Sequence, residues 1–109
     1  MPKRAGEAPG LEAIDHLDRV IHEPGRLKIM SQLHIVESGD FVYLLHSTGL
    51  TRGNLSSHIA RLERAGYVKV AKEFVNRKPV TSISLTQQGR KAFQEYRKNI
   101  ASAIGAAGS

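Results

Sequence analysis

Three stretches of this sequence gather side chains with chemical potential. Ser56, Ser57 and His58 adjoin one another, and Asp15, His16, Asp18 and His22 crowd together. A polar run from Thr51 to Arg64 carries hydroxyls, an amide and cations. A hydroxyl beside an imidazole is the raw material of a nucleophile and its base. Neighbours on a helix point in different directions, however, and no oxyanion motif accompanies these three. No phosphate-binding glycine loop is present, so no enzymatic activity is expected. The carboxylate–histidine cluster has zinc-type ligands, but the histidines (16, 22, 34, 46 and 58) include no His-x3-His pair and the chain has no cysteine. Neither a metal nor a cofactor is expected.

The third stretch carries a more specific signal. With Leu55, Ile59 and Leu62 facing a core, the opposite side of a helix presents Gly53, Asn54, Ser57, Ala60, Arg61 and Arg64. Asn54 can pair with adenine through two hydrogen bonds, and Ser57 can read several bases. Thr51, Arg52 and Ser56 fall near the helix start, where amides and hydroxyls bind phosphate. Arg61 can reach a phosphate or a guanine, and Gly53 and Ala60 permit close approach. His58 lies on the flank, suited equally to a phosphate contact or to half-buried packing. The bland alternative is an ordinary solvent face.

The surrounding pattern says what holds this helix. Ile14, Leu17 and Ile21 predict an amphipathic helix over 11–22, ended by Pro24. Leu27, Ile29, Met30, Leu33 and Val36 form a wide apolar stripe on a second helix. Asp40 is a suitable N-cap for a short third helix holding Phe41, Leu44 and Leu45. Gly49 suits a tight turn, Thr51 caps the polar helix, and Gly66 stops it. The period then changes: 67–72 and 80–85 alternate as strands, with 73–79 as a basic hairpin tip. Lys72 and Lys78 suit phosphate contact, and Arg77 suits a narrow minor groove. Phe74 and Val75 at the tip can pack back onto the body or touch another copy, and the pattern does not choose. Thr86 starts a last helix with Ala92, Phe93, Tyr96 and Ile100 on its apolar side.

The chain has 109 residues, enough for one domain. A flexible arm is expected over 1–9, the domain over 10–104 and a frayed tail over 105–109. Apolar residues make up 40%, which argues against a disordered chain, and no apolar run approaches the ~18 residues of a membrane span. The absence of cysteine fits a cytoplasmic location. Charge is divided unevenly. Residues 1–50 hold five basic and seven acidic side chains, and residues 51–109 hold eleven and three. A basic second half suits a polyanion, nucleic acid first among them.

The order of helix-turn-helix (about 40–66), basic hairpin (about 68–85) and last helix (about 86–104) is that of a winged helix. The chain resembles small winged-helix transcriptional regulators of the MarR/ArsR-like group. The matching stretches run from His22 to Met30, from Gly49 to Val68, and from Arg77 to Thr81 leading to Leu85 to Arg90. The resemblance implies a mainly α fold with a small β-hairpin, and a homodimer that binds double-stranded DNA at a palindromic operator, most simply as a repressor. Thr51, Arg52, Asn54, Ser56, Ser57, His58 and Arg61 would contact DNA from the recognition helix, and Lys72, Arg77 and Lys78 from the wing. The first and last helices lie outside the minimal fold. Their stripes (Ile14, Leu17 and Ile21; Phe93, Tyr96 and Ile100) would be hidden by a second copy, the alternative being that both helices fold back on their own domain. Two alternatives stand beside this reading. One is a winged helix used for protein contact, against which the charge speaks, since an interaction wing would not need to be so basic. The other is a regulator with a small-molecule effector pocket at the dimer interface, lined by Leu17, Ile21 and Phe93, which no motif demands. Metal-sensing ArsR-like relatives use cysteines in the recognition region or Asp/His pairs on the last helix; this chain has no cysteine, and its last helix has no Asp or His.

Overall fold

The computed structural model describes residues 11–108. The arm expected over 1–9 lies outside them. The elements run as a 3-10 helix Leu11–His16, α1 Pro24–Val36, β1 Ser38–Asp40, α2 Phe41–Thr48, α3 Arg52–Arg64, β2 Val68–Val75, β3 Lys78–Leu85 and α4 Gln87–Gly108. The fold is a mainly helical winged helix with a three-stranded antiparallel sheet in the order β1-β3-β2.

Apolar periodicity becomes one core. Ile29, Met30 and Leu33 of α1, Leu44 of α2, Leu55 and Leu62 of α3, and Ile83 of β3 are all fully buried. Eight such side chains, Ile21 included, each add about 1.5–3 kcal/mol relative to exposure, enough to fix the three-helix arrangement. Caps set the boundaries. Asp40 accepts from the Tyr43 amide at 2.7 Å, and Gly49, at φ 70°, ends α2. Gly66, at φ 83°, closes α3. There the Tyr67 amide donates to Leu62 and the Gly66 amide to Glu63, at 3.0 and 2.9 Å. This is the Schellman arrangement, which needs a left-handed residue at that point.

The structure corrects the sequence reading at five places. The helix expected over 11–22 survives only as the 3-10 helix to His16. Asp18 is the reason: its Oδ1 accepts from the Val20 and Ile21 amides at 2.9 and 3.3 Å. Its Oδ2 accepts from the Tyr67 hydroxyl. A short carboxylate that captures nearby amides competes with the helical ladder.

The stripes assigned to a second copy are the next correction. Leu17, Ile21, Phe93 and Tyr96 are buried within their own chain. They belong to the packed core rather than to an effector pocket or a free surface. Of that group only Ile14 is exposed, while Ile100 packs half-buried against the core.

A third strand also joins the hairpin, because Ser38, Gly39 and Asp40 pair with Ser84, Ile83 and Ser82. Three residues are too few to show a period of two. The hairpin tip is tighter than 73–79, since pairing continues out to Val75 and Lys78. Last, α4 continues to Gly108 where a tail was expected from 105. Ala101, Ala103, Ala106 and Ala107 carry the highest helix propensity and outweigh the two glycines.

Candidate nucleic-acid interface

The surface is built on α3. Leu55, Ile59 and Leu62 turn into the core, and Arg52, Gly53, Asn54, Ser56, Ser57 and Arg61 are exposed. Thr51 is the N-cap, with its hydroxyl accepting from the Asn54 amide at 3.2 Å. Thirteen residues make α3 about 20 Å long.

Two choices in its first turn run against stability. No acidic residue lies there, and Arg52 places a cation against the positive end of the helix, a cost an approaching anion would relieve. Arg52 instead stands 6.0 Å from the centre of the Phe41 ring. Gly53 is the second choice. Its φ is not positive, and an added Cβ would meet nothing within 4 Å. The fold gives no reason for glycine, which costs about 1 kcal/mol in a helix relative to alanine.

His58 turns away from the exposed face. Its Nδ1 accepts from the Arg26 guanidinium at 3.3 Å. Its Nε2 lies 3.7 Å from Glu23. Glu23 caps α1 by accepting from the Arg26 amide at 2.7 Å. Burial pushes the Glu23 carboxyl up, but that amide and the neighbouring His58 and Arg26 side chains outweigh it and hold it below the usual range. Gly25 makes room for this contact, since a Cβ there would fall 2.6 Å from His58 Nε2. His58 therefore ties α3 to the start of α1. The Arg26 partner was invisible in the sequence, being 32 residues away.

The wing rises beside α3. Phe41, Ser56, Ala60, Glu63, Val70 and Thr81 line a cleft of about 190 Å³ between the helix and the sheet. Lys72, Arg77 and Lys78 are exposed. The loop between the strands is only Asn76 and Arg77, at φ 52° and 66°. Two consecutive positive φ values mark the tight hairpin turn that prefers Asn-Gly. Arginine in the second position costs about 1–2 kcal/mol of backbone strain, so Arg77, like Gly53, is not the residue its own backbone favours; here that residue would be glycine.

The other clusters are consumed by structure. Asp18 is spent on its turn and on Tyr67, and His22 Nδ1 lies 2.9 Å from the Tyr96 hydroxyl. Among the described residues, no three His, Asp or Glu side chains gather to hold a metal. Ser57 is exposed while His58 faces Glu23 and Arg26, so the two do not form a nucleophile and its base. Among the described residues, no helix is long and apolar enough to cross a membrane.

Residues 26–104 match the family model of a winged helix DNA-binding domain. The chain belongs to that family. This winged-helix domain is 35% identical over 78 residues to an uncharacterized protein of Methanocaldococcus jannaschii, covering 72% of this chain and 85% of that one. It is similar to the solved structure of a transcriptional regulator homologue from Pyrococcus horikoshii, with 30% identity, 88% and 97% coverage and a TM-score of 0.83. A MarR-like transcriptional regulator from Thermotoga maritima shares the fold at 17% identity, 98% and 67% coverage and a TM-score of 0.54. These similarities place the chain among winged helix DNA-binding domains, with a transcriptional regulator homologue among the proteins it resembles.

Proposed function

We propose that this winged-helix domain is a homodimeric, cytoplasmic transcriptional regulator that reads a palindromic operator and acts as a repressor. The exposed face of α3 enters the major groove, where base edges carry a distinguishable code. Asn54 and Ser57 read bases. Thr51, Arg52, Ser56 and Arg61 bind phosphate or, for Arg61, guanine. The wing carries Lys72 and Lys78 to the backbone and Arg77 to the minor groove. His58 acts by fixing α3 against α1.

The observation that carries this reading is that Gly53 and Arg77 both depart from the residue their own backbone favours, and both lie on the exposed helix–wing surface. An external partner explains both departures. For the dimer, the supporting surface is narrower than the periodicity suggested. The 3-10 helix packs on α4, leaving Ile14 at 49% and Ile104 at 65% exposure. A palindromic operator with half-sites one turn of DNA apart would require a twofold pairing to hold the two α3 helices about 34 Å apart.

The test is fluorescence anisotropy on duplexes selected from a random pool, across a salt series, with wild type and an Arg77→Ala/Lys78→Ala double variant. Salt-sensitive binding that weakens in the variant and has a shallower salt slope supports the reading. A folded protein that binds no duplex at low salt refutes it.

A further inference from the structure

Phe74 is 79% exposed, more than any other large apolar side chain among the described residues. That exposure removes one of the two roles open to it, packing back onto the body. Strand alternation puts Phe74 on the same sheet face as Val68 and Val70, opposite Pro79 on the paired strand. That face is turned toward α3, since Val70 and Thr81 share the cleft with Ser56 and Ala60. Four residues beyond Val70, Phe74 stands about 13 Å past the last packed position of β2. Pairing with the tip of another copy is disfavoured by charge. Lys72, Arg77 and Lys78 surround the tip with only Glu73 to offset them, so two tips would repel, while a polyanion is complementary.

We propose that Phe74 is an apolar wedge that enters a base step from the DNA minor groove beside Arg77. The inference rests on the DNA-binding reading and adds a residue that sets specificity through DNA shape. The minor groove is about 6 Å wide, too narrow for a two-stranded ribbon, so only side chains of the tip can enter. Phe74 is suited to this by its stiffness. The two-residue turn closes the hairpin one residue beyond it, and its cross-strand partner Pro79 has its own φ fixed by the ring. An inserted phenylalanine partly unstacks the step and kinks the duplex, at least cost where a pyrimidine precedes a purine. Arg77 alone would favour a narrow, stiff groove; the wedge adds a preference for a soft step next to it.

The experiment uses the full chain and its pool-selected duplexes, with 2-aminopurine placed in turn at each step flanking the α3 contacts. Unstacking raises its fluorescence. Saturating wild type should give a rise at one step on each wing side. Phe74→Ala should abolish it and Phe74→Leu should retain it. Affinity of Phe74→Ala should fall about tenfold on duplexes with a pyrimidine–purine step there, with an unchanged salt slope. Both variants should melt with wild type, because the side chain is exposed. Binding by wild type without a rise at any step overturns the wedge and leaves the DNA reading standing, as does an equal rise with Phe74→Ala. Failure of wild type to bind any duplex overturns both.

Discussion

Replacing Gly53 by alanine should move stability and DNA affinity in opposite directions. Gly53 is the second residue of α3, and its backbone is helical without a positive φ. A Cβ there would meet nothing within 4 Å, so alanine introduces no clash. Alanine gains from its smaller backbone entropy loss, worth about 0.5–1 kcal/mol in a helix. A domain of this size shifts by about 4–8 °C per kcal/mol, so Tm should rise by about 2–8 °C. The same open space is where a duplex would approach, and a methyl group there keeps backbone and bases away. Circular dichroism melts report the first effect, and anisotropy on a selected duplex reports the second. An unchanged or lower Tm would refute the account of the helix. A raised Tm with undiminished binding would refute the claim that this space is reserved for DNA.

Arg77→Gly repeats the logic at the wing: the strained turn relaxes by about 1 kcal/mol, seen in urea unfolding, while binding weakens on every duplex. Asn54→Ala and Ser57→Ala should each relax discrimination between selected and random duplexes by about 1–3 kcal/mol; equal losses on both would remove the residue from base reading. Gly89→Ala should be severely destabilising, by about 3 kcal/mol or more in a denaturant titration. Its Cβ would fall 2.1 Å from the Tyr67 carbonyl oxygen, a backbone atom that cannot step aside. Burial, with the Asp18 carboxylate beside it, pushes the Tyr67 hydroxyl up to about 12 from 10.0. The fold thus favours the neutral phenol: this contribution is whole below pH 10 and is lost as pH rises from 10 to 12. Stability across that window should fall more steeply for wild type than for Tyr67→Phe, and parallel curves would refute the coupling.

What the chain's sequence determined by itself was local. Asp40 and Thr51 as caps, Gly49 and Gly66 as turn and stop, and the i, i+4, i+7 spacing of Leu55, Ile59 and Leu62 are short-range constraints, and each appears in the structure. They make the exposed face of α3 legible, because a buried stripe dictates what lies opposite. The alternating strands and the cationic wing follow for the same reason.

Only the tertiary structure decided questions of partnership across the chain. Periodicity shows that Leu17, Ile21, Phe93 and Tyr96 must be buried but not against what, and the fold buries them in their own core. Asp18 broke an amphipathic helix because its carboxylate captured two amides and a tyrosine far along the sequence. His58 took a role through Arg26 and Glu23, which no spacing rule connects to it. The exposure of Phe74 and the strain at Arg77 likewise depend on where the hairpin ends relative to the body. A stripe records the need to leave water, which is a property of neighbouring residues. Which surface satisfies that need is settled when the whole chain packs, because burial is not directional.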